Sequence, residues 1–363
     1  MTTEIKKLKE KLLARTALPA VDWDRGLSTG STLLNLACSG RPTVGLLPGH
    51  FYMLVGDSQA GKTWVGRQIL AEAAANPVYK NHRLIHTNPE RGALMEVRRY
   101  FGAKLAARLE EPEPPVTLEA YYDWLDGLVK SGKSFVNVLD SEDALVSEAQ
   151  LKKRACNKKA RRDEDGRVKG SYGDGKAVVN SSSLRLAHSG LAKSGSILVM
   201  IKQTRDNIGF NATFNPKTRS GGRALTFYAT LELWFSLRGK IRKNVLGKSR
   251  TVGSYLRVQV KKNRIDGNDA EVVLPFYKKY GIDDLGAMID FLVDERHWTG
   301  KGNADDKKVK SITAPEFGFE GPPEKLARQI EEAGQEQKLR MLTAQLWRDI
   351  QDACALARKP RYE

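Results

Sequence analysis

Residues 56–63 read GDSQAGKT, between an apolar run, HFYMLVG at 50–56, and an amphipathic run that begins at Trp64. A glycine, four other residues and then Gly-Lys-Thr is the phosphate-binding loop of proteins that bind nucleoside triphosphates. The flanking runs predict a strand before the loop and a helix after it, which is the context that this motif requires. The octapeptide therefore predicts a nucleotide site with Mg²⁺.

Apolar β-rich runs alternate with helical patterns around this loop. Strands separated by helices are typical of a parallel sheet, and near-continuous apolar runs suit strands that are buried on both faces. We therefore predict an α/β fold with a mostly parallel central sheet, its last two strands forming an antiparallel hairpin around a basic linker. The expected strands are 50–56, 83–88, 134–140, 196–203, 229–237 and 255–263, and the expected helices are 62–75, 92–108, 117–131 and 181–194.

The bulk composition points to a polyanionic partner. The chain has 363 residues, with 60 Lys and Arg against 43 Asp and Glu, a formal net charge of +17. An excess of this size is typical of proteins that bind nucleic acid and is seen less often at membrane surfaces. Cys38, Cys156 and Cys354 form no CxxC pair, which argues against a disulfide framework or a thiolate zinc site and fits a reducing compartment.

Membrane association is not expected. The sequence has no apolar run near the roughly 18 to 20 residues that cross a bilayer. The N-terminus, MTTEIKKLKEKLLARTAL, is charged throughout and lacks the apolar centre of a signal peptide. We therefore expect a cytoplasmic protein.

Three parts are expected along the chain. Residues 1–35 form an N-terminal helix and linker, 36–295 form the core, and 296–363 form a linker and a helical C-terminal segment. The N-terminal helix has one apolar face, formed by Ile5, Leu8, Leu12 and Leu13.

Two polar segments interrupt the core. Residues 151–176 contain ten Lys and Arg, and residues 207–224 are rich in Gly, Asn and Thr with two phenylalanines. We expect both to be loops, because neither has enough apolar side chains to pack. Loops longer than about 12 to 15 residues inside a compact domain are usually functional or disordered.

The third core strand supplies a candidate metal ligand. FVNVLD ends in Asp140, which places a carboxylate at the carboxyl edge of the sheet, where ligands bind in open α/β folds. We predict that Asp140 and the Thr63 hydroxyl bind Mg²⁺. In the alternative interpretation, Asp140 caps the next helix, as the following residues DSEDAL allow.

Hydrolysis also needs a group that orients or deprotonates the attacking water. The second strand ends LIHTNPE, which offers Asn88 at the sheet edge and Glu90 a little beyond it. An amide orients water but cannot take its proton, so we favour Glu90. At the end of the fourth strand, Gln203 is positioned to contact the γ-phosphate and to pass its presence to the polar segment that follows.

These blocks resemble the RecA-type DNA recombinases in order and spacing. GDSQAGKT resembles the Walker A motif of that family, VNVLDS its Walker B, and IKQTRDNIGF with NPKTRSGGRALTFYATLELWF its switch glutamine, second DNA-binding loop and following strand. The last block is the most specific, because Asn-Pro, Gly-Gly and ALTFYA serve no general need of nucleotide binding. The similarity covers about 27–290 and is strongest at 50–63 and 197–236, so we expect a divergent member, encoded by a phage.

The resemblance implies a RecA-like ATPase core that uses ATP and Mg²⁺. It implies nucleotide contacts from Gly56, Asp57, Ser58, Gln59, Ala60, Gly61, Lys62, Thr63 and Trp64, with Tyr100 as the candidate for stacking on adenine. VQVKKNRI resembles the segment that reaches the nucleotide of a neighbouring subunit, at Lys262 and Arg264. The implied catalytic set is Lys62, Glu90, Asp140, Gln203, Lys262 and Arg264.

The two polar segments occupy the places of the family's DNA-binding loops, at about 151–178 and 207–224. Cationic side chains neutralise phosphates, and aromatic side chains stack on bases. The implied DNA contacts are Lys152, Lys153, Arg154, Lys158, Lys159, Arg161, Arg162, Arg167 and Lys169 in the first segment, and Arg205, Phe210, Phe214, Lys217, Arg219 and Arg223 at the second.

The resemblance implies a DNA-dependent ATPase that forms filaments on single-stranded DNA and promotes pairing and strand exchange. Its implied partners are single-stranded and double-stranded DNA, further copies of the chain in a helical filament, and single-strand-binding or loader proteins. In such a filament the resemblance implies that the N-terminal helix and linker, residues 1–35, contact the adjacent subunit. Two alternatives stay open: a hexameric helicase or loader motor on the same core, and an ATP-gated DNA-coating protein that does not hydrolyse ATP.

Overall fold

The computed structural model describes residues 21–162, 175–206, 217–302 and 309–358, without the side chains of 157–162 and 302. The N-terminal helix expected before residue 21 lies outside the described residues. Strand β1 (Phe51–Gly56) leads through the phosphate-loop motif into helix α2 (Lys62–Ala75), as the octapeptide predicts. The shorter helix α1 (Thr32–Ser39) precedes them, capped by the Ser31 side chain.

A ten-stranded mixed sheet forms the centre of the fold. Six parallel strands, in the spatial order β7-β1-β5-β4-β2-β3, carry the nucleotide motifs, and β8, β9 and β10 continue the sheet in antiparallel fashion beyond β7. The short β6 pairs only with the end of β5. These strands are β2 (Arg83–Thr87), β3 (Leu109–Glu110), β4 (Phe135–Leu139), β5 (Ile197–Asp206), β6 (Lys217–Arg219), β7 (Leu231–Val245), β8 (Lys248–Asn263), β9 (Glu271–Tyr277) and β10 (Gly281–Ile282).

Helices cover both faces of the parallel strands, so the predicted mostly parallel α/β core is confirmed. One apolar core joins α1, α2 and α3 (Val97–Ala106) to one face of the sheet. A second core joins α4 (Leu118–Lys130), α6 (Lys176–Ser194) and α7 (Arg223–Tyr228) to the other face. Since β1, β4 and β5 are buried on both faces, their sequences read as continuous apolar runs.

The expectation of a loop at 151–176 was wrong for its first part. Helix α5 spans Glu148–Arg162. Its N-terminus carries a reciprocal cap, in which the Gln150 amide donates to Ser147 Oγ at 3.1 Å and the Ser147 amide donates to Gln150 Oε1 at 3.2 Å. The segment EAQLKKRACNKKARR contains no proline or glycine, and Lys, Arg, Ala and Gln all favour helix, so high charge did not prevent a helix here.

The predicted antiparallel hairpin after α7 is confirmed, but the prediction that a basic linker joins its two strands was wrong. Strands β7 and β8 run on through 238–254 and pair from Leu231↔Asn263 to Val245↔Lys248, with a turn at Leu246 and Gly247. The outer half of this hairpin lies beyond the apolar core, which is why its sequence lacks the apolar alternation by which strands are recognised.

The C-terminal region contains the expected helices and also a small sheet. Helix α8 (Asp284–Asp294), α9 (Pro323–Glu332) and α10 (Glu336–Cys354) pack with β11 (Thr299–Gly302), β12 (Val309–Ala314) and β13 (Phe319–Gly321) around a separate apolar core that includes Trp298. Through Ala344 and Trp347, α10 also joins the core beside α1. No helix in the described part of the chain is long and apolar enough to cross a membrane.

Candidate functional site

The phosphate loop is shaped by glycine. Gly61 has φ +87°, and a Cβ there would lie 2.6 Å from Leu256 Cδ1. A Cβ on Gly56 would lie 2.4 Å from the Phe235 carbonyl oxygen. Gln59 also has a positive φ, +63°. The backbone therefore curls tightly at the N-terminus of α2, where free amide groups favour an anion.

Lys62 lies inside this loop and is 6 % exposed. Its ammonium group donates to the carbonyl oxygens of Gly56 at 2.8 Å and Asp57 at 2.6 Å. Burial is the largest influence and lowers the pKa of Lys62, while the negative charges of Asp140 and then Glu90 oppose that shift. Both predicted carboxylates therefore act electrostatically on the lysine that is predicted to contact phosphate.

Asp140 directly follows β4 and is 4 % exposed. Its amide donates to the Thr87 carbonyl oxygen of the neighbouring strand at 2.8 Å, and its Oδ2 is 3.6 Å from Nε2 of the buried His86. On the other side of that ring, Nδ1 lies 3.0 Å from Glu111 Oε1, which also accepts from the buried Arg67 at 2.7 Å. Desolvation lowers the pKa of His86, but Asp140 and Glu111 outweigh it, so the net shift is upward.

Glu90 contacts the predicted sensor Gln203 and also Ser141, a residue that was not predicted as part of the site. Its Oε1 accepts from the Gln203 side-chain amide at 2.8 Å and also from the Ser141 hydroxyl, one residue after Asp140. Asn88 is half-buried, and its Oδ1 has no hydrogen-bond partner among the described residues. The folded chain thus brings Glu90 to Gln203 and to the Walker B strand, although Glu90 lies beyond the end of β2.

The residues present fit a nucleotide with Mg²⁺. Thr63 lies in the first turn of α2, at the same sheet edge that carries Asp140. The described part of the chain holds no group of three or more His, Cys, Asp or Glu side chains that could bind a metal alone. Mg²⁺ is usually held by one or two carboxylates together with phosphates and water, a ligand set to which Asp140 and Thr63 could contribute.

The two aromatic residues suggested for nucleotide contact, Trp64 and Tyr100, pack against each other. Trp64 is 7 % exposed. Its ring centroid is 4.8 Å from Phe101, 5.1 Å from Phe276 and 5.4 Å from the half-buried Tyr100. This packing favours a core role for the Trp64 side chain, and adenine stacking by Tyr100 stays a prediction.

The first polar segment, residues 151–176, which we call the first basic segment, presents cations from a helix instead of a loop. Lys152 and Arg154 are exposed near the start of α5 and Lys153 is half-buried, and the Lys152 ammonium lies 3.9 Å from Glu148 one turn earlier. Farther along the segment, the backbone of Lys158, Lys159, Arg161 and Arg162 is helical, whereas Arg167 and Lys169 lie outside the described residues.

The second polar segment, residues 207–224, which we call the second basic segment, has both exposed cations and cations held in ion pairs at its ends. Arg205 and Arg223 are exposed. Lys217 lies 3.3 Å from Asp57 of the phosphate loop and 2.9 Å from Asp206. Arg219 is different, because its side chain is only 8 % exposed and its Nε donates to Glu232 at 3.2 Å. That geometry favours a structural role for Arg219 over the predicted DNA contact. Phe210 and Phe214 lie outside the described residues.

The phosphate loop also touches the strand end that precedes this segment. Asp57 Oδ1 accepts a hydrogen bond from the Thr204 hydroxyl. That bond is the largest cause that lowers the pKa of Asp57, ahead of the contact with Lys217. The second Walker A residue is therefore tied to both strands, β5 and β6, that flank residues 207–216.

A buried charged cluster adjoins the site and was missed in the sequence. We call it the Lys202 cluster: Glu142, Asp143, Asn180, Lys202 and Ser220. Lys202 is 0 % exposed, and its ammonium group donates to the carboxylates of Glu142 and Asp143 and to the Ser220 hydroxyl. The acidic pair after the Walker B strand and the lysine before Gln203 are a signal that could have been recognised, because a charge inside an apolar strand needs a buried partner.

Lys262 and Arg264 lie at the end of β8, beside an exposed aromatic residue. Phe227 is 62 % exposed, and the Arg264 guanidinium is 5.6 Å from its ring centroid. Lys262 donates to the Phe227 carbonyl oxygen at 3.2 Å. Two cations and an exposed phenyl ring therefore form one patch, as expected of a surface that meets another subunit.

The outer part of the β7–β8 hairpin, residues 238–254, was predicted as a basic linker but is paired strand, and we call it the basic arm. No Asp or Glu occurs between Glu232 and Asp266. Five exposed cations in the arm have no ion-pair partner among the described residues: Lys240, Arg242, Lys243, Lys248 and Arg250.

Comparisons with known proteins agree with this geometry. Residues 18–283 match the family model of the RecA N-terminal domain. The chain is 28 % identical to Protein RecA of Rubrobacter xylanophilus over 74 % of its own length and 70 % of that protein. It is 30 % identical to Protein RecA of Geobacter metallireducens, covering 79 % of this chain and 76 % of the relative.

A third relative, Protein RecA of Rhodospirillum rubrum, is 30 % identical over 73 % of this chain, which spans 65 % of the relative's length. The family match covers the whole parallel core, the phosphate loop and both strands of the β7–β8 hairpin. The chain therefore belongs to the family of RecA-type recombinases.

Proposed function

We propose that this protein is an ATP-dependent DNA recombinase that forms helical filaments on single-stranded DNA and promotes homologous pairing and strand exchange. The observation that carries the proposal is the contact of Glu90 with both Gln203 and Ser141, next to Asp140 and Lys62. It brings a proton acceptor and a polar sensor together at a phosphate loop. The same sheet edge leads into the second basic segment.

In this proposal, the nucleotide is held by the backbone amides of residues 56–63 and by Lys62. Thr63 and Asp140 hold Mg²⁺, which neutralises phosphate charge when it is bound. Glu90 orients the attacking water and accepts its proton. Gln203 contacts the terminal phosphate, so that ATP shifts the hydrogen bond that Gln203 donates to Glu90.

DNA is bound by cations on three surfaces: helix α5, the second basic segment and the basic arm. Their exposed side chains carry charge that phosphates neutralise with release of counterions. Lys262, Arg264 and Phe227 contact the neighbouring subunit, where the two cations stabilise charge that develops on its nucleotide. An exposed aromatic ring flanked by cations supports such an interface, because aromatic and arginine side chains dominate binding energy at interfaces.

The direct test is ATP hydrolysis by the purified chain and by Glu90→Gln, each with and without oligothymidylate. We expect DNA to stimulate turnover in the wild type and Glu90→Gln to lower it about a hundredfold or more, because general-base catalysis contributes at least that factor. Glu96→Gln, an exposed glutamate farther along the same segment, is the matched control and should behave as the wild type.

Three other outcomes would point elsewhere. DNA-stimulated turnover together with closed rings in negative-stain images would favour the helicase alternative, since a ring requires a rotation that closes and a filament one that does not. Tight ATP-dependent DNA binding without turnover would favour the coating protein. Turnover that DNA does not change would contradict the proposal.

A further inference from the structure

The Lys202 cluster lies where three parts of the molecule meet. Glu142 and Asp143 follow the Walker B strand, Lys202 immediately precedes Gln203 in β5, and Ser220 follows β6 at the end of the second basic segment. Asn180 lies in the first turns of α6, after the first basic segment. The cluster thus joins the candidate catalytic strand ends to the carboxyl ends of both candidate DNA-binding segments.

One carboxylate, that of Asp143, has a contact on each side. Its Oδ1 accepts from the Ser220 hydroxyl and from Lys202 at 3.0 Å. Its Oδ2 accepts from the backbone amide of Gln203 at 2.8 Å. Because a carboxylate is planar and rigid, a rotation that follows Ser220 also moves the hydrogen bond to Gln203. The end of the second segment and the backbone of the predicted phosphate sensor are therefore held by the same side chain.

Glu142 makes the corresponding connection to the other segment. It is 0 % exposed, and its Oε1 accepts from the Asn180 amide at 2.9 Å while its Oε2 accepts from Lys202. The same Asn180 amide donates to the Gly221 carbonyl oxygen at 3.2 Å, and Asn180 Oδ1 accepts from the Tyr122 hydroxyl at 2.7 Å. The start of α6 and the end of the second segment are thus fixed to one carboxylate.

The backbone around Ser220 leaves little freedom for independent movement. Gly221 has φ +93°, and a Cβ there would lie 2.4 Å from Leu225 and 3.2 Å from the Asn180 amide nitrogen. Gly222 has φ +80°, and a Cβ there would lie 2.7 Å from Ala177 Cβ in α6. The two glycines let the chain pass directly against α6, so a displacement of this segment reaches the cluster without slack.

We propose that the Lys202 cluster couples DNA binding to ATP hydrolysis, with Asp143 as the positioning residue that sets Gln203 according to the position of Ser220. This inference rests on the proposed function and adds to it the path by which DNA controls the site. None of the five residues is asked to contact ATP or DNA. Their role is to hold Gln203, and through it Glu90, in register with the DNA-binding segments.

Ser220→Ala and Asp143→Asn test this coupling separately from folding. Ser220→Ala removes the hydroxyl that joins the segment to Asp143 and leaves the charges in place. Asp143→Asn replaces an acceptor for three donors by a side chain with only one acceptor oxygen. For both variants we expect the ratio of oligothymidylate-stimulated to DNA-free turnover to fall at least fivefold, while the oligothymidylate concentration that gives half-maximal stimulation changes less than twofold, an expectation of order of magnitude.

Two controls separate coupling from loss of stability. Among the described residues, the hydroxyl of Ser182 in α6 donates to the backbone carbonyl oxygens of Val178 and Val179, so Ser182→Ala should keep the wild-type ratio. Asp284 accepts from the Thr32 amide at 2.6 Å, next to the C-terminal helices. Asp284→Asn should lower the melting temperature and keep the ratio, because it is not connected to the cluster.

The inference is overturned if Ser220→Ala and Asp143→Asn both keep the wild-type ratio, or if their ratio falls only as far as their folded fraction or DNA affinity does. If DNA fails to stimulate the wild type itself, the proposed function and this inference both fail. If DNA stimulates the wild type and stimulates both variants to the same extent, the proposed function stands and only the coupling is contradicted.

Discussion

Lys262 is a partly buried lysine that lies close to another cation. Burial, followed by the charge of Arg264, lowers the pKa of Lys262 to about 8. A lysine with a depressed pKa is charged below that value and loses its proton as the pH rises through it. Contact with a polyanion in a neighbouring subunit favours the charged form, so above about pH 8 that contact must also take up a proton.

We therefore expect ATP-dependent assembly on DNA to weaken as the pH rises from about 7 to about 9, and Lys262→Arg to flatten this dependence, because a guanidinium stays charged. Light scattering on oligothymidylate at several pH values measures it. Lys261→Arg, at a lysine that lies over the Trp234 ring, serves as the control and should keep the wild-type profile. An unchanged profile in Lys262→Arg would contradict the assignment.

Single residues also show where sequence reasoning stops. Spacing predicted roles for Lys62, Thr63 and Asp140, because a phosphate loop and a strand end constrain position strongly. It left Glu90 and Asn88 open, since neither lies within a strand and the path of a loop depends on contacts made elsewhere. The contacts with Gln203 and Ser141, both distant in sequence, favour Glu90. Pairings across such separations, including that of Lys202 with Glu142, cannot be deduced from one strand's pattern.

At the level of elements, the buried strands and the helices between them were predictable, and the polar elements were not. The predicted helix at 62–75 matches α2, and the predicted strand at 83–88 matches β2 within one residue. Over residues 148–156, the part of helix α5 whose side chains are described, no side chain is buried, and the outer ends of β7 and β8 are largely exposed. The apolar periodicity that marks the other elements is missing from these segments. Propensity and the Ser147–Gln150 cap were the usable signals for α5.

The basic arm carries exposed cations that we propose bind DNA. Because single-stranded DNA releases about 0.7 counterions per phosphate neutralised, replacing Lys240, Arg242 and Lys243 with serine should reduce the slope of log affinity against log salt by about 2. Fluorescence anisotropy with labelled oligothymidylate at several salt concentrations measures the slope. An unchanged slope would remove the arm from the DNA-binding surface.

The matched control for the arm changes the same number of charges at other surfaces. Lys80 and Lys133 are exposed next to the amino ends of β2 and β4, away from the candidate site, and Lys104 is exposed on α3. Their replacement by serine should leave the slope close to that of the wild type. A similar loss in both triple variants would mean that net charge alone, and not the arm, sets the DNA affinity.

For the whole molecule, the exposed patch at Phe227 is the surface through which we propose that subunits assemble. The Phe227 ring lies beside Lys262 and Arg264 and is 62 % exposed. Its aromatic contact within the described chain is Tyr228, with ring centroids 5.1 Å apart. Phe227→Ser should raise the protein concentration needed for assembly about thirtyfold or more, the effect expected from loss of an aromatic hot spot. Negative-stain imaging over a concentration series measures it.

Folding should not explain that result, because Phe227 lies at the surface and its loss leaves no cavity. Val78→Ser is the control: Val78 is an exposed apolar residue, 44 % exposed, before β2. Both variants should keep the wild-type melting temperature, and Val78→Ser should assemble normally. Filaments of Phe227→Ser at wild-type concentrations would place the subunit interface elsewhere.

The C-terminal region adds a separate apolar core to the molecule. Trp298 lies at its centre, 2 % exposed, with its indole N–H donating to Glu316 Oε2 at 2.8 Å. Arg340 of α10 reaches back to the Thr32 hydroxyl at 3.2 Å, which ties this region to the start of the main core. The helices were predictable from their amphipathic pattern, but the small sheet was not, because its strands are short and polar.

The measurement that tests the central claim most directly is strand exchange. A labelled strand should be displaced from a duplex when the protein, ATP and a homologous single strand are added, and not when the single strand is unrelated in sequence. The account predicts displacement that depends on homology and on ATP and that Lys62→Ala abolishes. ATP hydrolysis and DNA binding without any homology-dependent displacement would contradict it.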